Sequence, residues 1–185
     1  MNPLRRFFRL FWLIVTVRRR PRIALHDVAR MNGRVWPSDL DELGHVNNGV
    51  YLSMLDHPRL DLLQRSGVWG PMKRAGIYAV VASQTVTYRK SMRLGQKFVI
   101  ESRIIGYDDR AVYLDQRFVV DGEIYARAYV KGRFIRRTGG VVSTVEVGAL
   151  TGIDVAAHPV PEWMADWARH VALPSTRGPA PSDWD

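Results

Sequence analysis

The stretch Asp39-Leu40-Asp41-Glu42-Leu43-Gly44-His45-Val46-Asn47-Asn48-Gly49-Val50-Tyr51 gathers carboxylates, an imidazole and two amides directly before a run with helical apolar spacing. A helix N-terminus offers unpaired N–H donors and a partial positive charge. A thioester carbonyl set against those donors is polarised, and the oxyanion of its tetrahedral intermediate is stabilised. A neighbouring carboxylate can activate water or attack the carbonyl itself. Asp41 is the candidate for that work. The thiolate leaves readily, so no elaborate acid is required. The same residue types are also ordinary in turns and caps, and spacing alone leaves both meanings open.

Other reaction classes have no support. The chain has no cysteine, which excludes a cysteine nucleophile, a thiolate metal site and a disulfide framework, and suits a reducing compartment. No serine stands in a G-x-S-x-G elbow. His26, His45, His57, His158 and His170 form no metal-ligand spacing, and Gly139-Gly140 lacks the context of a phosphate loop. Nothing here calls for a metal or cofactor. Asp39 is read as a loop residue, and Asp56 and Asp61 as helical carboxylates less well placed than Asp41. Arg89, Lys90 and Arg93 cluster at a strand end, where they could meet the phosphates of a coenzyme A thioester or form a solvated turn.

Periodicity places these residues on elements. Val28 to Trp36 reads as a strand and Pro37 to Val46 as a loop. Asn47 or Asn48 can cap a helix that runs towards Arg65, with Tyr51, Met54, Leu55, Leu62 and Leu63 on its apolar face. Pro58 predicts a kink or break near His57. After Gly76 the period becomes two. Ile77 to Arg89, Lys97 to Ile105, Ala111 to Val120 and Glu123 to Arg136 read as strands of an antiparallel meander, with Asp121-Gly122 as a hairpin turn. Pro161 to Val171 predicts a late helix with Trp163 and Trp167 on one side. The expected architecture is α+β: about five antiparallel strands wrapped around one long helix, followed by a C-terminal helix. Exposed sheet edges predict a homodimer or homotetramer.

Charge divides the chain unevenly. Met1 to Arg30 holds eight arginines against one aspartate, while the remainder has 19 basic and 17 acidic residues. The body therefore lacks the basic stripe needed to bind a nucleic-acid backbone. Residues 1–22 form a basic, apolar arm, 23–172 the domain and 173–185 a loose tail. The apolar run Leu10 to Val17 is far short of the roughly 20 residues of a membrane span. Arginines follow it where a secretory cleavage site would need small residues. The arm suits peripheral contact with an anionic membrane, and equally a helix packed on the domain or on a partner subunit. A cytoplasmic location follows as the expectation.

The pattern Asp41-x-x-Gly44-His45-Val46-Asn47-Asn48-x-x-Tyr51, with Arg59 in the helix and Tyr88-Arg89-Lys90-Ser91-Met92-Arg93-Leu94-Gly95 beyond it, resembles hot-dog-fold thioesterases of the 4-hydroxybenzoyl-CoA thioesterase type. The loop is also similar to that of plant acyl-ACP thioesterases. The resemblance covers about Val28 to Arg137. It implies hydrolysis of an acyl thioester on coenzyme A or acyl carrier protein, with Asp41 as the catalytic aspartate. It aligns Asn48 with the residue near the thioester and its oxyanion donor, and His45 with the histidine of the plant enzymes. Asn47, Gly49 and Tyr51, with Arg89, Lys90 and Arg93, are the implied substrate contacts. Leu43 stands where the plant enzymes have asparagine, so their Asp/Asn/His network is incomplete here. A non-catalytic hot-dog protein that binds acyl chains or membrane within an assembly is the alternative.

Overall fold

The computed structural model describes residues 20–174 and 178–182. Its organising element is helix α1, Asn48–Arg65. Asn47 is the cap: its side-chain oxygen accepts the Gly49 N–H at 2.9 Å, which satisfies one of the free donors of the first turn. The break expected near His57 does not occur, and α1 is helical without interruption through Pro58. Proline removes one hydrogen bond to the preceding turn, but Leu55 and Leu62 on either side are fully buried. Packing holds the helix there. The side-chain amide of Gln116 also donates to the Leu55 carbonyl at 3.3 Å, beside the gap.

Six strands surround α1 among the described residues: β1 Ala29–Arg34, β2 Ile77–Tyr88, β3 Lys97–Tyr107, β4 Ala111–Val120, β5 Glu123–Arg136 and the short β6 Val141–Val142. Their order is β1-β3-β4-β5-β2, with β6 on β5 and every pair antiparallel. The meander therefore holds for β3 to β5 only. β2 pairs with β5, not with β3, because the connection from Arg89 to Gln96 crosses the end of the sheet and buries Met92 there. That crossing lets the sheet close over α1 from both sides. β1 is one edge and β2 the other.

Alternation decides which residues see the helix. Leu114, Gln116 and Phe118 of β4 turn inwards, while Tyr113 and Asp115 turn outwards. The inner core has two parts along α1. Val50, Tyr51, Met54 and Leu55 pack with Met92, Phe98 and Phe118 around its first half. Leu62 packs with Ile104, Leu114, Val130 and Phe134 around its second half. On the outer face the C-terminal helix, Glu162–His170, packs through Met164 and Ala168 against Ala111 and Tyr113. Trp163 is half exposed and meets Tyr129 edge-on. The chain approaches that helix through Val160, which crosses so near β3 that only Gly106 fits: a Cβ there would stand 2.6 Å from the Val160 backbone.

Three short helices lie where no helix was expected. A 3-10 turn spans Pro37–Asp39, α2 spans Trp69–Arg74, and α3 spans Thr144–Thr151, which makes the C-terminal helix α4. The signal for α3 was present in the sequence. Ser143 and Glu146 have capping-box spacing, the Ser143 hydroxyl accepts the Glu146 N–H at 3.1 Å, and Gly152 closes the helix in the left-handed region. Met1 to Arg19 of the arm lie outside the described residues. From Arg20 onwards the chain is tied to α1. The Arg20 guanidinium meets Asp61 at 2.6 Å, and the Pro21 carbonyl accepts from Arg65.

Candidate active site

Leu40 to Val46 fold into a tight hairpin at the N-terminal end of α1. Leu40 and Val46 face each other in a β-bridge, the Asp41 N–H donates to the His45 carbonyl at 2.8 Å, and the Gly44 N–H returns to the Asp41 carbonyl. Gly44 turns the corner at φ +74°, a conformation that glycine adopts without steric cost. The bend directs the Asp41 side chain back over its own loop. One carboxylate oxygen accepts the N–H groups of Leu43 and His45, at 3.0 and 3.2 Å. The other, Oδ2, has no hydrogen-bond partner among the described residues. Asp41 is half buried. It is thus a fixed carboxylate with one oxygen in reserve.

The helix end is divided in the same way. Gly49 gives its N–H to the Asn47 side chain, and Val50 and Tyr51 give theirs to the Asn47 carbonyl. The Asn48 N–H is left without a partner among the described residues, and the Asn48 side chain is exposed. Of the residues that the sequence marks around the cap, Asn48 supplies the donor, while Asn47 and Gly49 are occupied with each other. Tyr88 reaches this end from β2, where its hydroxyl donates to the Asn48 carbonyl at 3.1 Å. Burial pushes the Tyr88 hydroxyl above its ordinary value, so it stays a donor at neutral pH. Sequence reasoning had placed Tyr88 only at the end of a strand.

The other marked residues separate into neighbours and supports. Arg93 pairs with His45 across a β-bridge, and its exposed guanidinium has no described partner. His45 is half buried and meets Asp41 through its backbone, while its imidazole has no described partner. Arg89 and Lys90 both bind Glu123, whose carboxyl their hydrogen bonds hold below its ordinary value. Tyr51 is a core residue, 2% exposed, whose hydroxyl accepts the Met92 N–H at 3.3 Å and so fastens the Arg93 loop. Asp39 is fully buried and accepts the Trp36 N–H. Its carbonyl accepts from Asn47 and fixes the loop to the helix cap.

The helical carboxylates are engaged. Asp61 is completely buried between Arg20 and Arg65. Asp56 pairs with Arg59, whose guanidinium also donates to Gln116 at 2.7 Å, and Gln116 donates to Ser102 at 2.8 Å. This polar chain crosses between the two halves of the inner core. Asp56 and Arg59 at i, i+3 on the helix and Gln116 among the apolar residues of a strand were its sequence signals. Among the described residues no three His, Asp or Glu side chains stand together as a metal cluster.

A curved antiparallel sheet closed over one long helix is the hot-dog fold. The family model described as "Thioesterase-like superfamily" matches residues 35–168, and the chain belongs to that superfamily. Protein THEM6 of Xenopus laevis is 39% identical over 102 residues, which cover 55% of this chain and 49% of that protein. The chloroplastic acyl-acyl carrier protein thioesterase ATL3 of Arabidopsis thaliana is 32% identical over 78 residues, 42% of this chain and 41% of that protein. The chain thus spans about half the length or less of these relatives. Among solved structures, the probable thioesterase YbaW of Escherichia coli superposes with a TM-score of 0.63 at 24% identity, covering 69% of this chain and 98% of that one.

Proposed function

We propose that the chain hydrolyses an acyl thioester of coenzyme A, with Asp41 as the catalytic carboxylate. The observation that carries this is the division of labour within one side chain: two N–H groups fix one oxygen of Asp41, and the other has no partner among the described residues. Asp41 takes a proton from water as the water oxygen adds to the carbonyl carbon. The carbonyl oxygen becomes an oxyanion against the Asn48 N–H. Collapse of the intermediate breaks the carbon–sulfur bond and releases the acid and the thiolate, and the proton held by Asp41 passes to the thiolate, which restores the carboxylate. Asn47 holds the first turn so that its remaining donor faces outwards, and Arg93, charged and uncommitted beside His45, suits the phosphates of the thiol carrier. The edge strand β2 exposes Tyr78, Val81 and Tyr88, at 40%, 41% and 41%. Pairing of this edge with a second copy would cover it. No described helix is long and apolar enough to cross a membrane. The arginines and apolar residues of the arm, residues 1–22, support peripheral contact with anionic lipid.

The test is thiol release from a panel of acyl-CoAs by the wild-type and Asp41→Asn chains. Asparagine keeps the size and the hydrogen bonds to Leu43 and His45 but cannot take a proton. Turnover is expected to fall by about 100-fold or more, the scale of a lost general base, with little change in KM. A folded Asp41→Asn protein with near-normal turnover overturns the assignment.

A further inference from the structure

Beneath the second half of α1 lies a cavity of about 380 Å³, within the size range of small-molecule sites. Its walls are mainly apolar, from Leu60, Leu63, Val81, Leu114, Val130 and Phe134. Asp56 and Arg59 stand at the side nearer the N-terminus of α1, and the exposed residues Ala79 and Val81 of the β2 edge mark where it opens. Core clusters normally close such space. Here α1 and β2 leave it open between them, although Tyr88 of the same strand touches the start of the same helix.

We propose that this cavity is the acyl chamber of the enzyme and that it selects unbranched aliphatic chains of roughly ten carbons or more over short or single-ring acyl groups. The inference rests on the reaction centre at Asp41 and Asn48 proposed above, and distance along the helix gives the substrate class. Asp56, the first residue of α1 to line the cavity, is eight residues beyond Asn48, or about 12 Å at the helical rise of about 1.5 Å per residue. With the thioester carbonyl at the Asn48 N–H, an extended chain needs roughly ten carbons to cover that length, given carbon–carbon bonds of about 1.5 Å. A benzoyl or butyryl group ends well short of it. The helix supplies a continuous path. Asp56, Leu60 and Leu63 repeat at three- and four-residue spacing, and Gly49, Leu52 and Ser53 continue the same stripe back to the cap. Gly49 is exposed, while Leu52, Ser53 and the three lining residues are all half buried, so a chain following the stripe leaves full solvent just beyond the cap. Each methylene that enters contributes about 0.8 kcal/mol of transfer free energy.

The experiment has a hydrolysis arm and a binding arm, both on the full chain. Thiol release is measured with butyryl-, benzoyl- and dodecanoyl-CoA, and binding of dodecanoate is measured by titration calorimetry. The wild-type chain is expected to prefer dodecanoyl-CoA in kcat/KM by at least tenfold and to bind dodecanoate. Leu63→Trp fills the chamber from the helix. It should lower the dodecanoyl-to-butyryl ratio of kcat/KM at least tenfold and weaken dodecanoate binding to match. Leu60→Trp, which lines the chamber from α1 and lies off the strand edge, is the second variant and should act in the same direction if Leu63→Trp fails to fold. Dodecanoate binding that both tryptophans weaken, without hydrolysis of any thioester, would uphold the chamber and sink the Asp41 mechanism. Hydrolysis with no preference for the long chain, or a preference that neither tryptophan alters, would overturn the chamber and leave the mechanism standing.

Discussion

The two ends of α1 treat their carboxylates in opposite ways. At the C-terminal end Asp61 is fully buried, and each of its oxygens is bound to a different arginine, Arg20 or Arg65. At the N-terminal end Asp41 is half buried, and two backbone N–H groups hold one oxygen while the other has no described partner. Both are aspartates of the same helix and its approach loop. A carboxylate whose capacity is exhausted by fixed donors maintains structure, because breaking any contact leaves a buried charge. A carboxylate that is anchored and still incomplete can take up a proton or an electrophile without that penalty. On the proposed mechanism, the number of oxygens left over separates scaffold from chemistry, and sequence position does not.

The comparison breaks or sharpens through paired substitutions. Asp41→Asn should cost turnover about 100-fold or more while leaving the thermal midpoint almost unchanged. Asp61→Asn should do the reverse. Stability is expected to fall by about 3 kcal/mol in denaturant unfolding, since Arg65 stays buried without its countercharge, while kcat of the folded fraction is retained. If Asp61→Asn instead lowered kcat at unchanged stability, the assignment of the two ends would have to be exchanged. Asn47→Ala tests the intervening cap. It should cost about 1 kcal/mol, the usual value for a lost N-cap, with a smaller loss of turnover as the first turn loosens.

The smallest effect belongs to Asp115 on the outer face of the sheet, a saturated carboxylate like Asp61. Burial pushes its carboxyl up, but hydrogen bonds and charge from Arg127 and Arg117 outweigh this and hold it below the ordinary 3.8. A depressed value in the folded state means stability that is fully present above the unfolded value and is lost as pH falls through the folded one. Denaturant unfolding of wild type and Asp115→Asn should therefore differ at pH 6 and converge below about pH 3.8. A gap that persists unchanged into acid would show that the ion pairs contribute nothing.

Local pattern carried much of the fold. Helix α1 follows from its cap and apolar spacing, and β3 to β5 follow from alternation and the Asp121-Gly122 turn, where only nearest neighbours matter. Pairing of β2 with β5 was not legible, because two strands about 45 residues apart leave no local trace of their contact. The continuity of α1 through Pro58 was misjudged for a related reason: propensity is local, whereas the packing of Leu55 and Leu62 that overrides it is not.

For the site, the sequence by itself determined which residue types stand at the start of α1, since seven positions separate Asp41 from Asn48 and a hairpin with Gly44 at its corner must join them. Only the tertiary structure decided which of those groups remain available. It tied Asn47 to Gly49, placed Tyr51 under Met92, and paired Arg89 and Lys90 with Glu123. It also buried Asp61 between two arginines and, among the described residues, left Asp41 Oδ2 and the Asn48 N–H without a partner. The physical reason is that a hydrogen-bonding group is spent by whatever partner the fold brings within 3 Å or so, and most of those partners are distant in sequence.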